Sequence, residues 1–170
     1  MTKSIAKIWA IVPAAGQGQR FSDVQPKQFF ELNGQLIAEH SLSRLLAVPQ
    51  IEKIIVPSDI EAILWSQIPS INHSKIRQVQ GGEQRAHSVL NGLLAIDQEA
   101  SDNDWVLVHD IARPCITTDD INKLILLVKD HSVGGILVAR VDETLKKVDL
   151  DNHVSSTVDR TQHRLAQTPS

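Results

Sequence analysis

Val12-Pro13-Ala14-Ala15-Gly16-Gln17-Gly18-Gln19-Arg20, running on to Pro26-Lys27-Gln28-Phe29, is the stretch whose reading decides the fold. The apolar run Ile8 to Val12 ahead of it reads as a buried strand, and it empties into small residues. Ala14, Ala15, Gly16 and Gly18 carry almost no side chain, so their backbone N–H groups can approach a polyanion closely. Arg20 and Lys27 add a cation at either end of the same loop. Small backbone donors between cations predict a turn that holds phosphates.

Commoner glycine motifs fit less well. No Gly-Lys-Ser/Thr follows, so the turn is not a P-loop. Gly16-x-Gly18-x-x runs into Phe21 rather than Gly or Ala, a poor dinucleotide fingerprint. A solvated strand-to-helix turn is the bland alternative, and two glycines alone would favour it. The full run with Arg20 and Pro26-Lys27 is more specific and points to function.

Outward from this loop, apolar runs alternate with segments of helical period. Ile37 to Val48 predicts a helix ended by Pro49, and Lys53-Ile54-Ile55-Val56 a second strand stopped by Pro57. A weaker helix is expected over Ile60 to Ile68, with a loop over Pro69 to Ser74. Ile76 to Val79 reads as a third strand closed by Gly81-Gly82. Gln84 to Gln98 predicts a helix whose apolar face is Val89, Leu90, Leu93, Leu94 and Ile96. Trp105 to Val108 is continuously apolar, as a parallel strand covered on both faces should be. Asp119 to Lys129 is a helix capped by Thr117 or Thr118, and Gly134 to Ala139 a fifth strand. Residues 142–160 are polar and β-prone with a turn at Asp151-Asn152, and read as a hairpin arm off the body. The expectation is an α/β three-layer sandwich: a mostly parallel, Rossmann-like sheet with helices on both faces and a protruding β-hairpin arm. Ligands of such sheets sit beyond the carboxyl ends of the strands. The glycine loop, Gly81 to Ser88, His109 to Arg113 and the stretch after Ala139 all fall there.

Composition narrows the class. At 170 residues the chain fits a single domain, 1–170. A net charge of −3 argues against general nucleic-acid binding, which needs a basic footprint. No apolar run approaches the roughly 18 residues of a membrane span, and the start lacks a signal-peptide core. One cysteine, Cys115, allows no internal disulfide, and it reads as a small buried residue. The seven histidines show no close pair at ligand spacing; His109 adjoins the site and reads as structural. The expected compartment is the cytoplasm.

The chain resembles the 2-C-methyl-D-erythritol 4-phosphate cytidylyltransferase family of sugar-nucleotide-type nucleotidyltransferases. The resemblance is carried by Pro13-Ala-Ala-Gly-x-Gly-x-Arg20, Pro26-Lys27-Gln28, Glu39-His40-Ser41 and Gly81-Gly82-x-x-Arg85-x-x-Ser88-Val89. It continues through Val108-His-Asp-x-Ala-Arg-Pro114, Thr157-Val-Asp-Arg160 and Gln167-Thr168-Pro169. It implies attack by a sugar phosphate on the α-phosphorus of CTP, with Arg20 and Lys27 as the catalytic cations. The nucleotide-binding residues it implies are Pro13, Ala14, Ala15, Gly16, Gly18, Gly81, Gly82, Glu83 and Ser88. Asp110, Arg113, Thr144, Arg160 and Thr168 would bind substrate, with Asp110 also holding Mg²⁺. In the family the hairpin reaches a partner subunit, so Thr144 and Arg160 would act in a homodimer. A cytidylyltransferase for another polyol phosphate such as ribitol 5-phosphate shares the loop. A catalytically inactive nucleotide-binding or dimerisation module is the rival of another class.

Family chains run past the Thr-Pro of Thr168-Pro169 and draw a further lysine from that part. The expectation is therefore a domain truncated at its C-terminus and weakly active at best. Ile111, in place of a small residue, is expected to crowd the ribose; Glu143-Thr144 stands for the usual Asp-Thr, and Arg140 for a common proline.

Overall fold

The computed structural model describes residues 6–16 and 25–170. Arg20 and Gly18 lie outside the described residues. The central sheet contains β1 (Ile8–Ile11), β4 (Ile51–Ser58), β5 (Ile76–Gln80) and β6 (Trp105–Val108). Its order is β5-β4-β1-β6 and every pairing is parallel. β2 (Glu31–Leu32) and β3 (Gln35–Leu36) form a small hairpin after a 3-10 turn at Lys27–Phe29. Asn33 and Gly34 take positive φ there, the conformation a tight hairpin turn requires.

Strand alternation sends side chains to two faces. Ile8, Ala10, Val12, Ile54, Val56 and Leu107 meet α1 (Ile37–Leu46) and α3 (Thr118–Val128) in the larger core. Trp9, Ile11 and Ile55 turn to the other face, with Ile96 at the end of α2 (Arg85–Leu94). Each fully buried aliphatic side chain contributes about 1.5–3 kcal/mol, so the larger core anchors the sheet. Trp9 is buried yet polar at its tip, and its indole N–H donates to Asp104 Oδ2 at 3.0 Å. Burial opposes charge on Asp104, but bonds from Trp9, Ser101 and Lys7 outweigh it and hold the carboxyl below its ordinary value. Thr117 caps α3, its hydroxyl accepting from Asp120 N–H.

Three expectations are corrected. The helix over Ile60 to Ile68 is 3-10 at Ile63–Gln67, with a second 3-10 turn at Pro69–Asn72. Proline at Pro69, with no donor for a longer helix, fits the break. The α2 face is not the leucine stripe: Leu90, Leu93 and Leu94 are exposed, while Ser88 and Gly92 face the sheet. A Cβ on Gly92 would lie 2.7 Å from Ile11 Cγ2, so the helix packs too close for anything larger. The expected fifth strand is only β7 (Val138–Arg140), outside the central sheet.

β7 pairs antiparallel with β10 (Arg164–Ala166). The hairpin of β8 (Leu145–Val148) and β9 (Val154–Val158) lies between them, and it matches the expected arm. Asn152 at its turn has φ 63°, which asparagine tolerates. The ribbon returns to the body where Val108 and Ser170 exchange backbone hydrogen bonds.

Candidate active site

Four parallel strands end on one edge of the sheet. The chain winds β1, β4, β5 outward and then crosses to place β6 on the other side of β1. The loops after β1 and β6 therefore flank the point where strand order reverses, the crevice such sheets use for ligands.

The ladder continues into the glycine loop. Val12 N–H donates to Ile55 O at 2.8 Å and Ala14 N–H to Pro57 O at 2.7 Å. Ala14 is thus corrected as a phosphate donor, because its N–H is committed to β4. Ala15 and Gly16 remain the loop's candidate donors among the described residues. Beneath them Gln28 is buried and its amide donates to Ala14 O at 3.0 Å. That bond seats the Lys27–Phe29 turn against the loop and places Lys27 beside it. Pro13 is half-buried in the same segment.

Gly81 and Gly82 follow β5. A Cβ on Gly81 would stand 2.3 Å from Ala15 Cβ, so glycine is needed for the two loops to meet. Gly81 N–H donates to Ser58 O. Gly82 needs its missing Cβ against His87, where the gap would be 2.3 Å. Ser88 is buried: its hydroxyl accepts from Gly82 N–H at 3.1 Å and lies 3.3 Å from Gly82 O. That hydroxyl is turned to the backbone that shapes the turn. Glu83 is exposed, and the helix cap is Gln84, with no side-chain capping bond.

Beyond β6, Asp110 lies between two guanidinium groups. Arg85 Nε is 2.9 Å from Oδ1 and Arg113 Nε 3.1 Å from Oδ2. Arg113 Nη1 also donates to Gln167 Oε1 at 2.9 Å, and Asp110 N–H points at Thr168 Oγ1 at 3.4 Å. Asp110 and Arg113 were each expected as substrate ligands; Arg85 and Gln167 stood only as motif letters. His109 is fully buried, its Nε2 3.2 Å from Arg113 O, so Nε2 carries the proton. Burial pushes its imidazole below the ordinary 6.5, and the group stays neutral and structural.

Ile111 is buried in the core, so it does not line the ligand side. Its carbonyl accepts from the buried Ser41 hydroxyl at 2.6 Å, which accounts for the serine of Glu39-His40-Ser41. Cys115 is exposed rather than buried. It lines a cleft of about 620 Å³ together with Lys27, Arg113, Gln167 and Thr168. Thr144 and Arg160 do not line that cleft. They are exposed on the arm, and Arg160 donates to Asp142 O within it. At the arm's turn Asp149, Asp151 and His153 cluster, but Asp149 Oδ1 already accepts two backbone N–H groups of that turn.

A family model described as 2-C-methyl-D-erythritol 4-phosphate cytidylyltransferase matches residues 8–170. The protein of that name from Pseudomonas putida (strain W619) is 40% identical over 170 residues, covering 99% of this chain and 72% of the relative. That from Vibrio vulnificus (strain YJ016) is 39% identical over 169 residues, covering 99% and 71%. The crystal structure of the Francisella tularensis protein of the same name superposes with a TM-score of 0.78 at 41% identity, covering 96% of this chain and 71% of that one. With the motif residues gathered on one sheet edge and relatives this similar along nearly its whole length, the chain belongs to the 2-C-methyl-D-erythritol 4-phosphate cytidylyltransferase family.

Proposed function

We propose that the chain transfers a cytidylyl group from CTP to 2-C-methyl-D-erythritol 4-phosphate, giving 4-diphosphocytidyl-2-C-methyl-D-erythritol and pyrophosphate. The observation that carries this reading is the cleft that Lys27, Arg113 and Thr168 line together. A phosphate oxygen of the acceptor attacks the α-phosphorus; the bond from that phosphorus to the β-phosphate bridging oxygen breaks, and pyrophosphate leaves in line. The nucleophile is already ionised, so no general base is required. The barrier is electrostatic, and cations placed where charge develops lower it. Lys27, with Arg20, supplies that charge, and Ala15 and Gly16 offer backbone donors to the triphosphate. Arg113 and Thr168 hold the acceptor phosphate. The Gly81–Ser88 turn, with Glu83 at its rim, takes the cytosine.

Asp110 fits an Mg²⁺ ligand by its donor chemistry: its half-exposed carboxylate keeps lone pairs beyond the two that the arginines use. Magnesium favours one or two carboxylates with phosphates and water, and when bound there it would neutralise triphosphate charge. We further propose a homodimer in which the arm carries Thr144 and Arg160 to the neighbour's acceptor phosphate. Isolated two-stranded units are marginal in water, and this one is exposed along most of its length. No helix of the described residues is long and apolar enough to cross a membrane. A cytoplasmic setting suits substrates whose several negative charges keep them from crossing one.

Pyrophosphate release from CTP, measured with a panel of polyol phosphates, tests the reading. Release with 2-C-methyl-D-erythritol 4-phosphate alone is the expected result. Release with ribitol 5-phosphate in its place, or with no acceptor in the panel, would overturn it.

A further inference from the structure

Asp110 is gripped from two directions, and the two arginines come from different parts of the fold. Arg113 is three residues away on the same loop. Arg85 is the first residue of α2 and reaches across from the Gly81–Ser88 turn. This is the side-chain bond that, among the described residues, joins that turn to the loop after β6. The group Arg85–Asp110–Arg113 carries one negative and two positive charges, so as a unit it faces ligands as a cation. Without Arg85 the carboxylate would be held on one oxygen only, by Arg113 of its own loop.

We propose that Arg85 is a positioning residue: by holding Asp110 Oδ1 it couples the nucleotide turn to the acceptor loop, so that CTP binding raises affinity for the acceptor phosphate. The inference rests on the reading of the cleft above. The physical origin is ordering. Nucleotide on the Gly81–Ser88 turn pins the start of α2, hence Arg85, hence Asp110 and Arg113, before the acceptor arrives. A second ligand entering an already ordered site meets a smaller entropic cost. The ion pair is partly exposed, with the Arg85 side chain 56% accessible, which keeps the expected coupling modest.

Calorimetric titration of 2-C-methyl-D-erythritol 4-phosphate into the protein, with and without the non-transferable analogue α,β-methylene-CTP, reads the coupling directly. In the wild-type protein the analogue should tighten acceptor binding. Arg85→Gln should reduce that enhancement by about two- to fivefold, the range of one partly exposed charge pair. Arg85→Lys should restore part of it, since it keeps the charge without the planar fork. Asp110→Asn should remove the same enhancement, and the double variant should lose no more than either single one. Melting curves of Arg85→Gln and Arg85→Lys matching the wild type would support a positioning role over a loss of fold. An enhancement unchanged in Arg85→Gln, or additive losses in the double variant, would overturn the proposal. So would a wild-type protein that binds both ligands with no enhancement, while one that binds neither would sink the functional reading as well.

Discussion

The sheet edge and the hairpin arm both present polar residues on short segments, yet only the first is fixed from beneath. At the edge, Ala14, Gly81 and His109 each give a backbone N–H to a neighbouring strand whose side chains are buried. Ser41 and Gln28 add buried side-chain bonds to the carbonyls of Ile111 and Ala14. In the arm, β8 and β9 pair, among the described residues, only with each other, and Val148, Leu150 and Val154 are exposed. The backbone of the edge is held by its own core, while the Arg85, Asp110 and Arg113 side chains above it are partly exposed. The arm holds Thr144 and Arg160 on a ribbon whose outer apolar side chains, Val148, Leu150 and Val154, face solvent. Geometry for chemistry is set on the body, and the arm's contribution depends on what it touches.

The largest effect should come from the edge. Lys27→Ala is expected to cut turnover by about a hundred to a thousandfold, equivalent to about 2.7–4 kcal/mol of transition-state stabilisation, read as pyrophosphate release. Undiminished turnover would break the claim that charge at the edge does the catalysis. Next comes Gly81→Ala, whose new Cβ would meet Ala15 Cβ at 2.3 Å and Ser58 N at 3.3 Å. A loss of about 1–3 kcal/mol is expected in urea denaturation, as for overpacking elsewhere. Gly16→Ala, whose Cβ would meet nothing within 4 Å among the described residues, should stay within about 0.5 kcal/mol of wild type. Equal stability of the two variants would remove the clamp between the loops. The smallest effect on stability belongs to the arm: Arg160→Ala should change it by less than about 0.5 kcal/mol. Its activity should fall all the same, and mixing it with Lys27→Ala should restore turnover, since one site of each mixed dimer keeps both groups. Mixed subunits as inactive as either parent would end the arm's role in the neighbour's site.

Legibility followed sequence separation. The glycine-loop turn and the Thr117 cap join near neighbours, and each was readable from spacing. Arg85–Asp110, Ser41–Ile111 and Gln28–Ala14 join residues 25, 70 and 14 positions apart, and no local pattern announces them. The α2 face was misread for a related reason. A helical stripe of leucines signals burial only if the neighbouring surface stands a leucine's length away. Here Gly92 lies almost on Ile11, so the small residues go inward and the leucines out. That the Ser88 hydroxyl is bonded to Gly82 was not legible either, since sequence cannot say that Gly82 lies within its reach.

By itself the sequence determined the alternation of strand and helix, the family motifs and the small-residue, cation-flanked composition of the first loop. These follow from side-chain size, period and charge, which are properties of neighbouring residues. Only the tertiary structure decided which donors remain for a ligand and which are already used by the sheet. It also decided that Asp110 answers to an arginine from another helix. Such choices depend on strand order and on how closely α2 approaches β1, because a hydrogen bond or an ion pair forms between whatever groups folding brings within about 3 Å.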